Sequence, residues 1–399
     1  MKGVKNVRIV LVLFALLALV ANPVMQAQGE ENPAIAILSF GRTALNELTR
    51  MGILDMLQAY QFINADERAL LNDFQDLEGE RVNIIWGDGG MDLPTANLMV
   101  EDALDRGADV LLPLMTPVAQ IAANLTFDLE QPPLILFSVV SAPYAAGIAD
   151  SPCLKPPHIA GTQAQVPFDQ IVSLLRAQQP DIGQVGTMVN AAEPNSVNGL
   201  KQITHYAEAL GIVVEAASTS SLSDVPVGTG TLMDKGIEAL LLSGSAAELA
   251  GSSAIMDVAA EYGVPVIAPV VGYVNRGGHV GAGFNDFYRE GVVVGRMLTA
   301  HLEGSVDVAT LSINALPSLG MALNLDTAAE AGISFSDELL AMADYVIEGG
   351  KSTQDRKPPS LPDMSLEERR AADLEFLAGL ACTEEMVAEQ QAALDAAED

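Results

Sequence analysis

The chain has 399 residues, is 49% apolar and only 5% aromatic, and carries a formal net charge of −32. That length and apolar content suffice for two domains with aliphatic cores, and the acidity excludes nucleic acid and anionic membrane surfaces as partners. His158, His205, His279 and His301 are scattered and no CxxC or HExxH pattern occurs, so neither a metal site nor a cofactor is expected.

The first 27 residues read as a signal peptide. Lys2, Lys5 and Arg8 make a basic start, 9–21 is an unbroken apolar run of 13, and 23–27 is a small-residue approach to cleavage after Ala27. Thirteen residues fall short of the about 20 that span a bilayer, although an uncleaved N-terminal anchor is the alternative. No Cys stands near the cut, so a lipoprotein is not expected. Cleavage would remove three bases and no acids, so −32 becomes −35. An exported, periplasmic protein is the expectation. In that compartment a disulfide between Cys153 and Cys382, pinning the C-terminal tail to the body, and two unpaired thiols both fit the sequence.

Beyond the leader, strand-like runs alternate with helical ones. AIAILSF (34–40) precedes a helix over 44–59, and RVNIIWG (81–87) precedes one over 94–106. ADVLLPLM (108–115) leads into the helix TPVAQIAANL, and PPLILFSVVS (132–141) closes the first set. These strands are continuous apolar runs, as in parallel strands buried on both faces, and right-handed crossovers then make a doubly wound sheet. Residues 142–157 carry four prolines and predict a crossing segment.

A second α/β series follows, opening with a helix over 167–178. The strand VGTMVN (185–190) ends in a polar turn, and the next helix has apolar spacing at Val197, Leu200, Ile203 and Ala207 before GIVV (211–214). GIEALLLSG (236–244), a helix over 246–262 and VPVIAPVV (264–271) continue the series. GGHVGAGF (277–284) and a helix over 287–302 return to the style of the first set. Residues 318–333 predict a last strand and short helix, and 336–349 a helix. Residues 351–399 turn polar and Pro-rich, then helical and acidic, an appendage that either docks or stays solvated. The fold class is therefore α/β, with two doubly wound lobes joined by a multi-segment hinge. The N-terminal lobe comprises 33–142 plus 277–315, the C-terminal lobe 158–276 plus 316–350, and 351–399 is a tail.

Catalytic motifs are missing: the chain has no GxSxG elbow, no P-loop and no GxGxxG with an acid at the right distance, so an enzyme is not expected. Polar loops instead leave the carboxyl ends of five predicted strands, where open α/β sheets hold ligands. They carry Gly41 and Arg42, Thr116 and Pro117, Ser141, the stretch from Asn190 to Ser196, and Ser243 to Ser245. Thr116-Pro117 reads as an N-cap followed by Pro at the first helical position, which leaves backbone amides free for a small anion. Arg42 could meet a carboxylate in bidentate fashion or lie on the surface.

From about Ala34 to Gly349 the chain resembles the solute-binding proteins of ABC transporters of the TrpX-like family. The resemblance rests on TPVAQIAAN (116–124), ILFSVVSAPYAAGI (135–148), MVNAAEPNSV (188–197), SSLSDVP (220–226), EYGVPVIAP (261–269) and GFNDFYREG (283–291), with LNLDTAAEAGI (323–333) and LLAMADYVI (339–347) at the end. It implies the bilobed periplasmic-binding-protein architecture, a ligand held between closing lobes, and a membrane permease of an ABC importer as partner. Amino acids or small carboxylates are the implied ligands. The implied contacts are Thr116, Pro117, Ser141, Asn190, Glu193, Asn195 and Ser196, with Asp286 and the backbone at 284–285 as weaker ones. Where relatives carry acids, this chain has Ser243-Gly244-Ser245 and Pro269-Val270-Val271, which favours a less charged or purely anionic ligand. The expected function is a monomeric solute-binding component. The alternative, suggested by the long tail, is an extracellular ligand-sensing protein on the same fold.

Overall fold

Two parallel-rich sheets follow from the two series of apolar strands. The structure, a computed structural model, describes residues 32–316, 320–353 and 358–398; the expected leader lies outside them. Strand β1 (Ala34–Ser39) is fully apolar but for its last residue. It is followed by helix α1 (Ala44–Ala59), which Thr43 caps by accepting the Asn46 amide at 3.2 Å, and by α2 (Ala65–Asn72). Next come β2 (Leu77–Glu78), β3 (Asn83–Asp88), α3 (Leu93–Asp105), β4 (Val110–Leu114), α4 (Thr116–Thr126), β5 (Leu134–Val140) and β6 (Ile159–Gln163).

The second series runs α5 (Phe168–Gln178), β7 (Gln184–Val189), α6 (Pro194–Ala209), β8 (Val213–Ser218), α7 (Val225–Asp234) and β9 (Ala239–Leu241). It continues through α8 (Ala246–Ala250), α9 (Ser252–Tyr262), β10 (Val266–Val270) and β11 (Val280–Phe284). Then follow α10 (Phe287–Leu302), β12 (Asn314–Ala315), β13 (Gly320–Asn324), α11 (Leu325–Glu330), α12 (Asp337–Met342), β14 (Tyr345–Glu348) and β15 (Lys351–Ser352). The tail forms α13 (Leu366–Ala378) and α14 (Glu384–Glu398).

The first sheet has the order β12-β6-β5-β4-β1-β3-β2 and the second β15-β14-β13-β11-β10-β9-β7-β8. The backbone passes between them three times: after β6, after β11, and between β12 and β13. Each sheet has its own aliphatic core, built on residues such as Ile35, Leu111 and Val293 in one lobe and Val185, Leu241 and Leu323 in the other. Helix α10 lies against α1 in the first lobe. A Cβ at Gly52 or Gly291 would overlap backbone oxygens of the facing helix, so these glycines set how closely the pair packs.

Several expectations need correction. Strand β6 belongs to the first sheet, in register Ile135↔Ile159 with β5, rather than opening the second lobe. The Pro-rich segment before it is a long loop within one lobe. Strand β11, expected in the first lobe, lies in the second sheet between β10 and β13. Its Gly281 and Gly283 face the backbone of 269–271 with no room for a Cβ, which lets this strand seat against β10. The expected helix over 336–349 ends at Met342, because the β-branched Val346 and Ile347 pair as β14 with β13. The expected helix over 246–262 breaks at Gly251 into α8 and α9.

The tail docks on the first lobe. Leu377 is fully buried in that lobe's core, and Asp373 pairs with Arg296 at 2.7 Å while accepting from the Tyr60 hydroxyl at 2.9 Å. Arg296 also lies over the Phe376 ring at 4.5 Å. Cys382 donates its amide to the Thr310 carbonyl and is disulfide-bonded to Cys153, with the two Cα atoms 5.8 Å apart. Gln390 of α14 accepts from the Ser151 hydroxyl and the Cys153 amide, so α14 and the link before it are tied to the loop that follows β5.

Candidate functional site

The loops at the carboxyl ends of both sheets enclose a cavity of about 380 Å3. From the first lobe come Met115, Thr116 and Pro117 after β4, Val139, Ser141 and Tyr144 at the end of β5, and Gln163 at the end of β6. The second lobe supplies Asn195, Asn198 and Gln202 from one face of α6, Ser243 and Gly244 after β9, and Pro269 and Val270 at the end of β10. Phe284 and Phe287, at the second crossing, close the floor with rings 4.9 Å apart at 73°. Burial raises the Tyr144 hydroxyl to about 12, so it remains a neutral donor.

Two wall residues stand in strained backbone conformations. Met115 has φ 82° and Val139 has φ 59°, both in the left-handed region that a side chain disfavours, at a cost of about 1–3 kcal/mol each. Met115 donates its amide to Ser138 O at 3.0 Å, and this turn aims the start of α4 into the cavity. The sequence reading placed the cap one residue late: Met115 is the N-cap, Thr116 is already helical, and Pro117 follows it. No side chain caps this helix, and the first-turn amides of Thr116 and Val118 have no intrahelical acceptor.

Val139 is held from behind by Glu290 of α10. The fully buried Glu290 carboxyl accepts from the Val139 amide at 3.1 Å and from the Ser138 hydroxyl at 3.4 Å. Desolvation dominates and pushes its pKa up to about 8, against the lowering effect of those donors.

On the opposite wall the sequence-derived residues assemble into one buried hydrogen-bond network. The Asn190 amide donates to Ser196 Oγ at 3.0 Å, and Ser196 Oγ lies 2.7 Å from Ser243 Oγ. Ser243 Oγ donates to Glu248 at 3.0 Å, and Glu248 also receives the backbone amides of Ser243, Gly244 and Ser245. Burial raises Glu248 to about 7. Glu193, likewise raised by desolvation, accepts the Asn190 side-chain amide and the Ala246 amide, both at 2.8 Å. Asn195 donates through Nδ2 to Gly244 O at 2.8 Å, whereas its buried Oδ1 has no partner. Gly199 presses on the Ser243 carbonyl, which fixes α6 against the loop after β9.

Of the sequence candidates, Thr116, Pro117, Ser141, Asn195 and Ser243 line the cavity. Ser196 and Ser245 sit behind its wall, Ser245 as the cap of α8. Asn190 and Glu193 face a second cavity of about 380 Å3, between the 90–94 loop of the first lobe and residues 220–222 and 246–250 of the second. Gly41 and Arg42 line neither. Arg42 pairs with Asp88 at 3.2 Å and stacks 4.1 Å from the Phe74 ring, with Arg50 on the same ring at 4.4 Å. Asp286 caps α10 by accepting the Arg289 amide at 3.1 Å. Sequence reasoning missed Asn198 and Gln202, although positions 195, 198 and 202 share one helical face and could have been found by that spacing. Tyr144, Gln163 and Gln165, which also line the cavity, carried no comparable local signal.

A profile of the family described as ABC transporter substrate binding protein matches residues 71–347. The tyrosine-binding protein of Clostridioides difficile (strain R20291) is 25% identical over 252 residues, 63% of this chain and 70% of that protein. The structure of an ABC domain in complex with L-Trp from Streptococcus pneumonia superposes with a TM-score of 0.69 at 22% identity, covering 79% of this chain and all of that one. A conserved domain protein of Vibrio cholerae gives 0.68 at 22% identity, covering 79% and 99%.

Proposed function

Because the chain belongs to the ABC transporter substrate-binding protein family, we propose that it captures a small organic solute, an amino acid or small carboxylate, between its lobes and delivers it to a membrane permease. One observation carries this reading: the cavity is walled by strand-end loops of both sheets, which three chain crossings join. Ligand contacts on both walls favour the closed arrangement over the open one, and that difference drives hinge closure. The protein works as an exported monomer after loss of residues 1–27, with lobes close to the sequence-derived segments once β6 and β11 are exchanged. Thr116, Pro117, Ser141, Asn195 and Ser243 meet the solute, while Asn190, Glu193, Ser196 and Ser245 keep their wall rigid. The relatives named for tyrosine and crystallised with L-Trp support an apolar or aromatic solute body, which Phe168, Phe284 and Phe287 suit.

The test is a thermal-unfolding screen of the purified chain against amino acids, carboxylates, sugars and purines, paired with small-angle scattering. A ligand at a hundred times its Kd should add about 2.7 kcal/mol of stability and contract the particle. If no compound in the panel raises the midpoint or shrinks the radius of gyration, the capture reading fails.

A further inference from the structure

The tail helices α13 and α14 lie beyond the stretch that matches the family profile, which ends at residue 347. Several of their ties to the first lobe converge on one place. The link between the two helices lies alongside residues 310–312. There Ser312 donates to the Leu380 carbonyl at 2.8 Å, Cys382 donates to the Thr310 carbonyl at 2.9 Å, and Leu311 bridges Ala381 in antiparallel fashion. The loop after β5 joins the same cluster. Ile313 donates to the Pro152 carbonyl at 2.9 Å, and the neighbouring Cys153 carries the disulfide to Cys382.

This cluster stands at the foot of the hinge. Directly after Ile313, β12 pairs with β6 in the register Asn314↔Thr162 and Ala315↔Gln163, and Leu316 donates to the Gln163 carbonyl at 3.3 Å. The first crossing leaves the lobe after β6 and the third after β12. Gln163 is also part of the cavity wall, and its Nε2 donates to the carbonyl of Ser141, another wall residue, at 3.0 Å. Bonded neighbours therefore lead without a gap from Cys382 through residues 310–313 and β12 to Gln163 and Ser141.

Strand β12 has only two residues, fewer than an ordinary strand, so its place depends on what holds the chain just before it. The tail link supplies that hold. While the disulfide is closed, residues 380–382 stay beside 310–312 at high effective concentration. Once it opens, the grip rests on a few backbone hydrogen bonds. Helix α13 would remain seated by Leu377 and Asp373, so the loosening is confined to the hinge side.

We propose that the tail is a brace for the hinge. Closed by the Cys153–Cys382 bond, it fixes β12 and, through it, the cavity wall at Gln163 and Ser141. Resting on the capture reading above, solute affinity then depends on the oxidised bond.

Hydrogen exchange on the purified full chain, without solute, reads the brace directly. Labelling for seconds keeps global unfolding out of the signal. Reduction with dithiothreitol should speed exchange at the Ser312, Ile313 and Leu316 amides at least about tenfold, while β1 and β4, inside the same sheet, stay protected. A chain with both Cys153→Ser and Cys382→Ser should behave as the reduced protein does, and reoxidation of the native chain should restore protection. Calorimetry with L-tyrosine and L-tryptophan reads the consequence: affinity should fall about tenfold on reduction and return on reoxidation. Unchanged exchange at the three hinge-side amides would overturn the brace. Acceleration that reaches β1 and β4 equally would also overturn it, by making the bond a general stabiliser, and so would an affinity indifferent to the state of the bond. Because exchange is read without solute, failure of both amino acids to bind the oxidised chain would fall on the capture reading alone.

Discussion

Glu290 is the most informative residue to perturb, because its carboxyl sits behind a strained wall residue and is fully buried. In the folded protein its pKa is pushed up to about 8, against 4.5 for an ordinary glutamate. Between those two values the folded state holds a proton that the unfolded state has released. Stability therefore falls as pH rises through that window and levels off above about pH 8. At about 1.4 kcal/mol per pKa unit, this single group lowers stability by on the order of 4 kcal/mol across the window. Glu290→Gln keeps an oxygen for the Val139 amide and the Ser138 hydroxyl but cannot ionise. The variant should match the native protein near pH 5 and exceed its stability by a few kcal/mol near pH 9. Urea titrations at a series of pH values measure this directly. Glu248, raised to about 7, slopes in the same direction in both proteins and cancels in the difference. Curves that stay parallel from acid to alkaline pH would refute the argument that a protonated Glu290 holds Val139.

Three further outcomes follow from the packing. Reducing the Cys153–Cys382 bond, or replacing Cys382 by Ser, should cost about 2–5 kcal/mol, since the bond closes a loop of 229 residues; melting curves with and without reductant measure it. Asp373→Ala should destabilise by about 2–4 kcal/mol, because it strands the Arg296 guanidinium and the Tyr60 hydroxyl at the tail interface, and chemical denaturation will report it. Gly199→Ala should weaken ligand binding by roughly tenfold or more with a smaller loss of stability. The new Cβ would push α6 off the Ser243 carbonyl and displace Asn195 and Asn198 together, which calorimetry will show.

Local periodicity and turn chemistry determined much of this protein. Continuous apolar runs such as Val110–Leu114 can only be buried on both faces, so the parallel α/β layering was legible residue by residue. Strand ends are marked by the switch from apolar to polar, which is why Thr116, Ser141, Asn195 and Ser243 were legible in the sequence. Helix α10 was readable from end to end because its Gly, Val and Met positions recur at helical spacing. Membership of a sheet is a different matter. Strands β6 and β11 pair with partners chosen by long-range geometry, and the Pro-rich loop and the glycines around them describe only the local chain.

Tertiary structure alone decided which polar side chains face the cavity. Arg42 turns away because Phe74 and Asp88, distant in sequence, offer it a ring and a carboxylate. Glu193 and Ser196 turn inward because the amide of Ala246 and the hydroxyl of Ser243 wait there. A buried polar atom must find a partner wherever the fold brings one, and that partner is set by the whole chain rather than by its neighbours in sequence. By the same logic, the charge of the site belongs to the fold: acids that the sequence spreads along the second lobe are each satisfied behind the wall, leaving the cavity neutral.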